Sequence, residues 1–240
     1  MQVLTWNVLH RIHAEKYHEP SIQHWPDEVA RVEAQSSFLR SLFSQGLTVA
    51  LLQEVGGDLL KELKGDLADH AVFHHAYPRI PRARGATQAM DPSEHLVVIA
   101  PHGAVLIQGA TAPNDPGKGF LAVQVGEWCV ISTHVSFGPA ALKQLAALRD
   151  FIQRDAGPLV IGGDFNTDRQ TVEAALGLPA FRPASGSAPT RPRPEGGSDI
   201  DHILIRAPGG PVSDATSLKV LSHPSLSDHA PVLWASALGK

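Results

Sequence analysis

The sequence predicts an α/β fold of two mainly antiparallel sheets packed face to face, with helices on the outside. Three observations carry that expectation. Short apolar, β-branched runs cluster into hairpins separated by Gly, Pro or polar turns. Two long amphipathic helical patterns interrupt them, and each has to bury its apolar side against a sheet. Short polar clusters close several of the runs, at the strand ends where layered folds mount their chemistry: Trp6-Asn7, Gln53-Glu54, Thr133-His134 and Gly163-Asp164-Phe165-Asn166.

In chain order, residues 3–6 read as a strand and residues 27–44 as a helix. Asp27 is its cap, Val29, Val32, Leu39, Leu42 and Phe43 form its apolar side, and Gly46 closes it. Residues 48–53 are a buried strand that delivers Glu54, and 58–67 a short helix. Strands follow at 71–76, 96–100, 104–108, 120–125 and 128–133, with Gly126-Glu127 as a hairpin turn. Residues 139–154 carry the clearest helical pattern, with Leu142, Leu145, Leu148 and Ile152 on one face and Pro139 suited to a first turn. Gly157-Pro158 leads into a strand at 159–162, and a short helix covers 169–176. A Pro/Gly/Arg-rich stretch at 179–197 is too irregular for an element and too long for a tight connection, which marks a functional or mobile loop. Strands at 200–205 and 230–235 complete the chain.

Bulk properties narrow the choice. No linker-like stretch divides the 240 residues, so one domain spanning 1–240 is expected. Hydrophobic residues make up 43% and charged residues 18%, which suits a globular protein with a substantial core. The formal net charge of −4 gives no global positive field to draw the chain onto nucleic acid or an anionic membrane, although a local basic strip can do the same work. The single cysteine, Cys129, lies in an apolar run and reads as a buried thiol. The first strand begins almost at Met1 with no leader-like segment, and no apolar run reaches membrane-spanning length; a cytoplasmic monomer is expected.

With Ile200-Asp201-His202 and Ser227-Asp228-His229 added, the ordered set of clusters resembles the endonuclease/exonuclease/phosphatase superfamily from Val3 to Leu233. That group includes pancreatic deoxyribonuclease, apurinic/apyrimidinic endonucleases, deadenylases, inositol-polyphosphate phosphatases and neutral sphingomyelinases. The resemblance implies a four-layer sandwich and hydrolysis of phosphate esters with a divalent metal, magnesium or manganese. Such a hard cation takes few oxygen ligands and keeps several waters, which Glu54 and Asp228 would satisfy with Asn7 holding the shell or its carboxylate. Asp164 and Asn166, two apart, point to one side of an extended segment while Phe165 anchors the other. By resemblance Asp164 positions or deprotonates the attacking water and Asn166 contacts a phosphoryl oxygen or the metal shell. His134 and His229 would bond phosphoryl or leaving oxygens, with Asp201 orienting the His229 ring.

The other eleven histidines are placed outside the chemistry. His74 and His75 are adjacent and face opposite ways on a strand, and His10, near Asn7, is the one close enough to line the cleft. Two departures separate the chain from the apurinic/apyrimidinic branch: Leu9 stands where an acidic residue is usual, which removes support for a second metal, and His202 stands where a tyrosine is usual. Asn7-Val8-Leu9, with Trp25 and Arg31, is more similar to the deadenylase and nocturnin-type branch.

Substrate class rests on the arginines. Arg79, Arg82 and Arg84 in one loop and Arg191 and Arg193 in another make either a phosphate-tracking strip or scattered solvated charges. The expected activity is a metal-dependent phosphodiesterase on nucleic acid or a nucleotide-derived substrate. A phosphatase or phospholipase on a small or lipid phosphate is the competing enzyme, and a nucleic-acid-binding module the competing non-enzyme.

Overall fold

The computed structural model describes residues 1–179, 188–207, 217–222 and 225–235. Part of the Pro/Gly/Arg-rich stretch, residues 180–187, lies outside them. In order the elements are β1 (Gln2–Asn7), α1 (Arg11–Tyr17), α2 (Ser21–His24), α3 (Glu28–Ser44), β2 (Val49–Gly56), α4 (Gly57–Asp66), β3 (Ala71–Ala76) and β4 (Glu94–Ala100). Then come β5 (Val105–Ala112), β6 (Asp115–Val125), β7 (Trp128–His134), α5 (Pro139–Ile152), β8 (Leu159–Asp164), α6 (Arg169–Leu176), β9 (Asp201–Arg206), β10 (Ser217–Val220) and β11 (Val232–Ala235).

The strands form a six-stranded sheet, β10-β11-β1-β2-β4-β3, and a five-stranded sheet, β5-β6-β7-β8-β9. Each contains one parallel pair, β1 with β2 and β7 with β8, so both sheets are mixed, with antiparallel pairs in the majority. The parallel pairs have a local cause. A parallel return needs a long crossover, and α3 and α5, the two amphipathic helices, supply it.

Alternation along the strands builds four layers. Leu4 and Trp6 of β1 face outward onto Val32, Leu39 and Phe43 of α3 and Leu63 of α4. Val3, one residue out of phase, faces inward with Val49 and Leu51 onto Leu121, Val130 and Val160 of the second sheet. Leu145, Leu148 and Ile152 of α5 and Val172 and Leu176 of α6 cover Ile131, Ile161 and Leu204 on the far face. The two sheets lie close together at Gly162, where a Cβ would lie 2.8 Å from Leu51 Cδ1 and 3.0 Å from Thr5 Cβ.

Asp27 caps α3 by accepting from the Val29 N–H at 2.9 Å, and Pro139 opens α5 as expected. The apolar faces are narrower than the sequence suggests. Val29 and Leu142 are 62% and 58% exposed; burial in α5 runs through Ala141, Leu145, Leu148 and Ile152, a row that Leu142 misses, and in α3 through Glu28, Arg31, Val32, Gln35, Ser36, Leu39 and Phe43, which Val29 misses. In α3 the buried positions include Arg31 and Gln35, which serve the site. Helices α1 and α2 and strand β10 had no sequence expectation. No helix among the described residues is long and apolar enough to cross a membrane.

Candidate active site

Strand register places the polar clusters side by side. In the five-stranded sheet Gly119 pairs with His134, His134 with Asp164 and Asp164 with Asp201, one row across four strands. In the facing sheet Asn7 pairs with Gln53 and Gly56 with Glu94. Gln53 donates through Nε2 to Thr5 Oγ1 at 3.2 Å and Ser132 Oγ at 3.0 Å, which ties the two sheets together behind the site. The strand ends surround a cleft of about 1180 Å³ lined by Glu54, Asp164, Asn166, Asp228 and His229.

Glu54 is aimed by a backbone irregularity. Its φ is 56°, and the β2/β4 register shifts between Leu52 and Val55, so the strand bulges at the carboxylate. The Glu54 carboxylate accepts from the His10 N–H at 3.2 Å and from His13 Nδ1 at 2.9 Å. Burial works against its charge, but His13, with His134 and Lys118, holds the carboxyl well below its usual range.

Asp164 ends β8 with both oxygens fixed. Oδ2 accepts from Asn7 Nδ2 at 3.0 Å and Oδ1 from the Asn166 N–H at 3.0 Å. The other end of the Asn7 amide accepts from Leu9 N–H, so Asn7 orients Asp164 directly. Asn166, with φ 49°, donates through Nδ2 to Val135 O at 2.9 Å. Phe165 is fully buried between the two polar residues. Burial raises the Asp164 carboxyl, yet His229 and His134 outweigh it and lower it below the ordinary value.

His229 lies opposite Asp164, with Nε2 3.9 Å from Oδ2, and its Nδ1 sits 2.8 Å from Asp201 Oδ2. Burial disfavours the imidazolium, but Asp201 and Asp164 push the histidine up to about 10. The loop that carries it is clamped. Ser227 Oγ donates to Asn7 O and accepts from the His229 N–H, while Arg31 and Gln35 each donate to both Val8 O and Leu226 O. The polar face of α3 therefore fixes the end of β1 against the loop preceding β11.

Asp228 lines the same cleft but lies in an arginine cage. Its Oδ2 accepts from Arg191 at 2.9 Å and Arg193 at 3.1 Å, and Arg193 also makes a two-pronged bond to Glu19 at 2.6 and 3.0 Å. Carboxylates and imidazoles close enough to share an ion fall into two groups among the described residues: His13, Glu54 and Glu94, and Asp164, Asp201 and His229. Such donor sets fit a divalent cation. Neither includes Asp228 or Asn7. Of the remaining arginines, Arg79 pairs with Asp115 at 3.2 Å and lines the cleft with Arg82, whereas Arg84 is not among the lining residues.

Three groups at the site were not anticipated, two lining the cleft and one buried beside it. His13, not His10, lines it; His10 instead caps α1, its Nδ1 accepting from the Ile12 N–H at 3.1 Å. Lys118 donates to Nε2 of the buried His134. Glu94 opens β4 and is fully buried. The only sequence signal for His13 was its spacing from Asn7; none marked Lys118, which the β6/β7 register brings beside His134. His74 and His75 do diverge, toward Lys64 and Thr111.

The architecture recurs in known proteins. The structure matches D. rerio TDP2 complexed with a single-strand DNA product at TM-score 0.67 and 16% identity, covering 98% of this chain and 97% of that one. It matches the Bacteroides thetaiotaomicron mannosyl-6-phosphatase at 0.62 and 16%, over 98% of each chain. A third match is ANGEL2, a 2′,3′-cyclic phosphatase, at 0.67 and 15%, over 97% and 94%. No curated protein matches by sequence. The model of the endonuclease/exonuclease/phosphatase family matches residues 4–229. With that match over nearly its whole length, on two face-to-face sheets whose strand ends carry the expected clusters, the chain belongs to the endonuclease/exonuclease/phosphatase family.

Proposed function

We propose that the chain is a single-domain, divalent-metal-dependent phosphodiesterase that acts on nucleic acid or a nucleotide-derived substrate by in-line attack of water. The observation that carries this reading is the opposition of Asp164 and His229. An ionised carboxylate, fixed by two asparagines, faces a charged imidazolium fixed by Asp201, with Glu54 in the same cleft. Water forms the new P–O bond as the bond to the leaving oxygen breaks. Because Asp164 is held below the usual carboxylate range, it is a weak base, and its larger contribution is to orient the water. His229 donates from Nε2 to the charge that grows on the phosphoryl oxygens, a transition-state interaction. Lys118, hydrogen-bonded to His134 on the neighbouring strand, adds a second cationic donor. A bound magnesium or manganese ion would neutralise the phosphoryl group, and the His13, Glu54 and Glu94 set is suited to hold it.

A second reading, a phosphatase on a small phosphate ester, is favoured by the state of the arginines. Arg191 and Arg193 are engaged by Asp228 and Glu19, leaving less free positive charge for a long polyanion. The deciding experiment is hydrolysis of single- and double-stranded DNA, RNA, sugar phosphates, phosphoinositide and sphingomyelin, each with magnesium or manganese and with excess chelator. Chelator-sensitive cleavage of a nucleic acid or nucleotide supports the first reading. Turnover confined to a sugar or lipid phosphate replaces it with the second, and undiminished turnover in chelator removes the metal.

A further inference from the structure

Glu94 is the most exposed to challenge of the buried charges, because nothing within hydrogen-bond distance satisfies it. Its side chain is 0% exposed, and neither carboxylate oxygen has a hydrogen-bond partner among the described residues. Buried carboxylates are ordinarily paired or bound to a cation, since desolvation without compensation is costly. Its two nearest cationic groups are His13 Nε2 at 3.8 Å and Arg79 Nη2 at 3.9 Å, both too far to donate a hydrogen bond.

The geometry around it is that of a ligand set. His13 sits between two carboxylates, with Nδ1 2.9 Å from Glu54 and Nε2 3.8 Å from Glu94. With Nδ1 donating to Glu54, loss of the Nε2 proton leaves a lone pair facing the Glu94 oxygen. A proton cannot bridge 3.8 Å well, but a metal ion can: ligand atoms about 2.1 Å from an octahedral ion lie roughly 3 to 4 Å apart. One atom from each of His13, Glu54 and Glu94 lies within 4.8 Å of the others, so a slight contraction closes the shell. The three come from α1, the β2 bulge and the start of β4, elements tied together by the Gly57 N–H bond to Ser93 O at 3.0 Å and the His10 N–H bond to Glu54.

We infer that His13 and Glu94 complete, with Glu54, a divalent-cation site of two carboxylates and one imidazole that prefers manganese to magnesium. Two oxygens and water suit either ion, whereas a nitrogen ligand favours the transition metal, because magnesium demands oxygen donors. The site compensates for Leu9, which offers no ligand. It also frees Asp228 for the arginine cage. This inference rests on the metal-dependent reading and names the ligands of that same site.

The test is metal binding itself, by isothermal titration and by the thermal shift of the whole chain with manganese and then magnesium. The wild type should bind manganese more tightly than magnesium. The isosteric Glu94→Gln should lose at least ~10²-fold in manganese affinity, beyond what partners outside the ligand shell typically control. His13→Asn should narrow the manganese preference to less than about threefold. Thermal unfolding without metal checks that each variant folds; should Glu94→Gln fail, Glu94→Asp, which keeps the charge but shortens the reach, replaces it with the same expected loss. Metal binding unchanged in the Glu94 and His13 variants overturns this inference and leaves the phosphodiesterase reading intact. Failure of the wild type to bind either ion overturns both.

Discussion

Asp201 and His229 form a buried pair, Oδ2 to Nδ1 at 2.8 Å, in which the carboxylate holds the imidazole charged and turns its Nε2 toward Asp164. Asp201→Asn keeps the shape and removes the charge. The His229 pKa, about 10 in the native chain, should fall by at least ~1 unit, as read by NMR of the ring protons. Turnover should fall at least ~10²-fold with it. An unchanged titration would mean that Asp164 alone sets the charge.

Asp164→Asn should lower turnover at least ~10²-fold; the amide keeps the size of the side chain but can accept only one of the two hydrogen bonds, so the unfolding temperature should also fall. His229→Ala is a poorer probe, since it would strand Asp201 buried without its partner at a cost of about 1–3 kcal/mol. His229→Gln is the better choice. The losses in Asp164→Asn and His229→Gln should not add, as the two residues act on one reacting group.

Glu54→Gln should abolish activation by magnesium and manganese, with chelator producing the same loss in the wild type. Steady-state rates across a metal titration decide this, and full activity of the variant would exclude Glu54 as a ligand.

The two arginine groups should now behave differently. Neutralising Arg79, Arg82 and Arg84 should reduce the salt slope of nucleic-acid binding by roughly one per lost phosphate contact, while a nitrophenyl phosphodiester is still cleaved. Arg191→Ala with Arg193→Ala should instead lower the unfolding temperature, because Asp228 and Glu19 lose their partners. Salt slopes that respond equally to both sets would restore the single phosphate strip.

Stability should depend on His10. Burial, helped by the charge of His13, lowers its pKa from 6.5 to about 4. The folded value is depressed, so the unfolded chain takes up the proton first. The contribution is full above 6.5 and declines as pH falls toward about 4, by at most on the order of 3 kcal/mol. Urea unfolding across that range should show the decline, and His10→Asn, which can still cap α1, should flatten it.

The fold was readable because its signals are local. Apolar alternation in residues 48–53 and 128–133, the Asp27 cap and the hairpin at Gly126 need no distant partner. The row of candidate site residues was readable for the same reason, since each cluster closes its own strand. What escaped were residues whose role depends on meeting another element. Glu94 looks like any strand-opening carboxylate until β4 is laid beside the β2 bulge, and His13 is one of many histidines until α1 turns it onto Glu54. Nothing in the spacing of Arg193 from Glu19, 174 residues away, announces that the two will pair.

The contact at Gly162 ties the chemistry to the interior in a different way. Glu54 belongs to one sheet and Asp164 to the other, so the cleft between them opens or narrows with the distance separating two slabs. At Gly162 that distance is filled by Leu51 and Thr5, with no room for a Cβ. A single methyl group there would act as a wedge two residues from Asp164, changing the gape of the cleft with every candidate site side chain still present. Substitutions at Leu51, Thr5 and Gly162 are therefore expected to alter the site as those in the cleft do, since the core is also the ruler by which the site is measured.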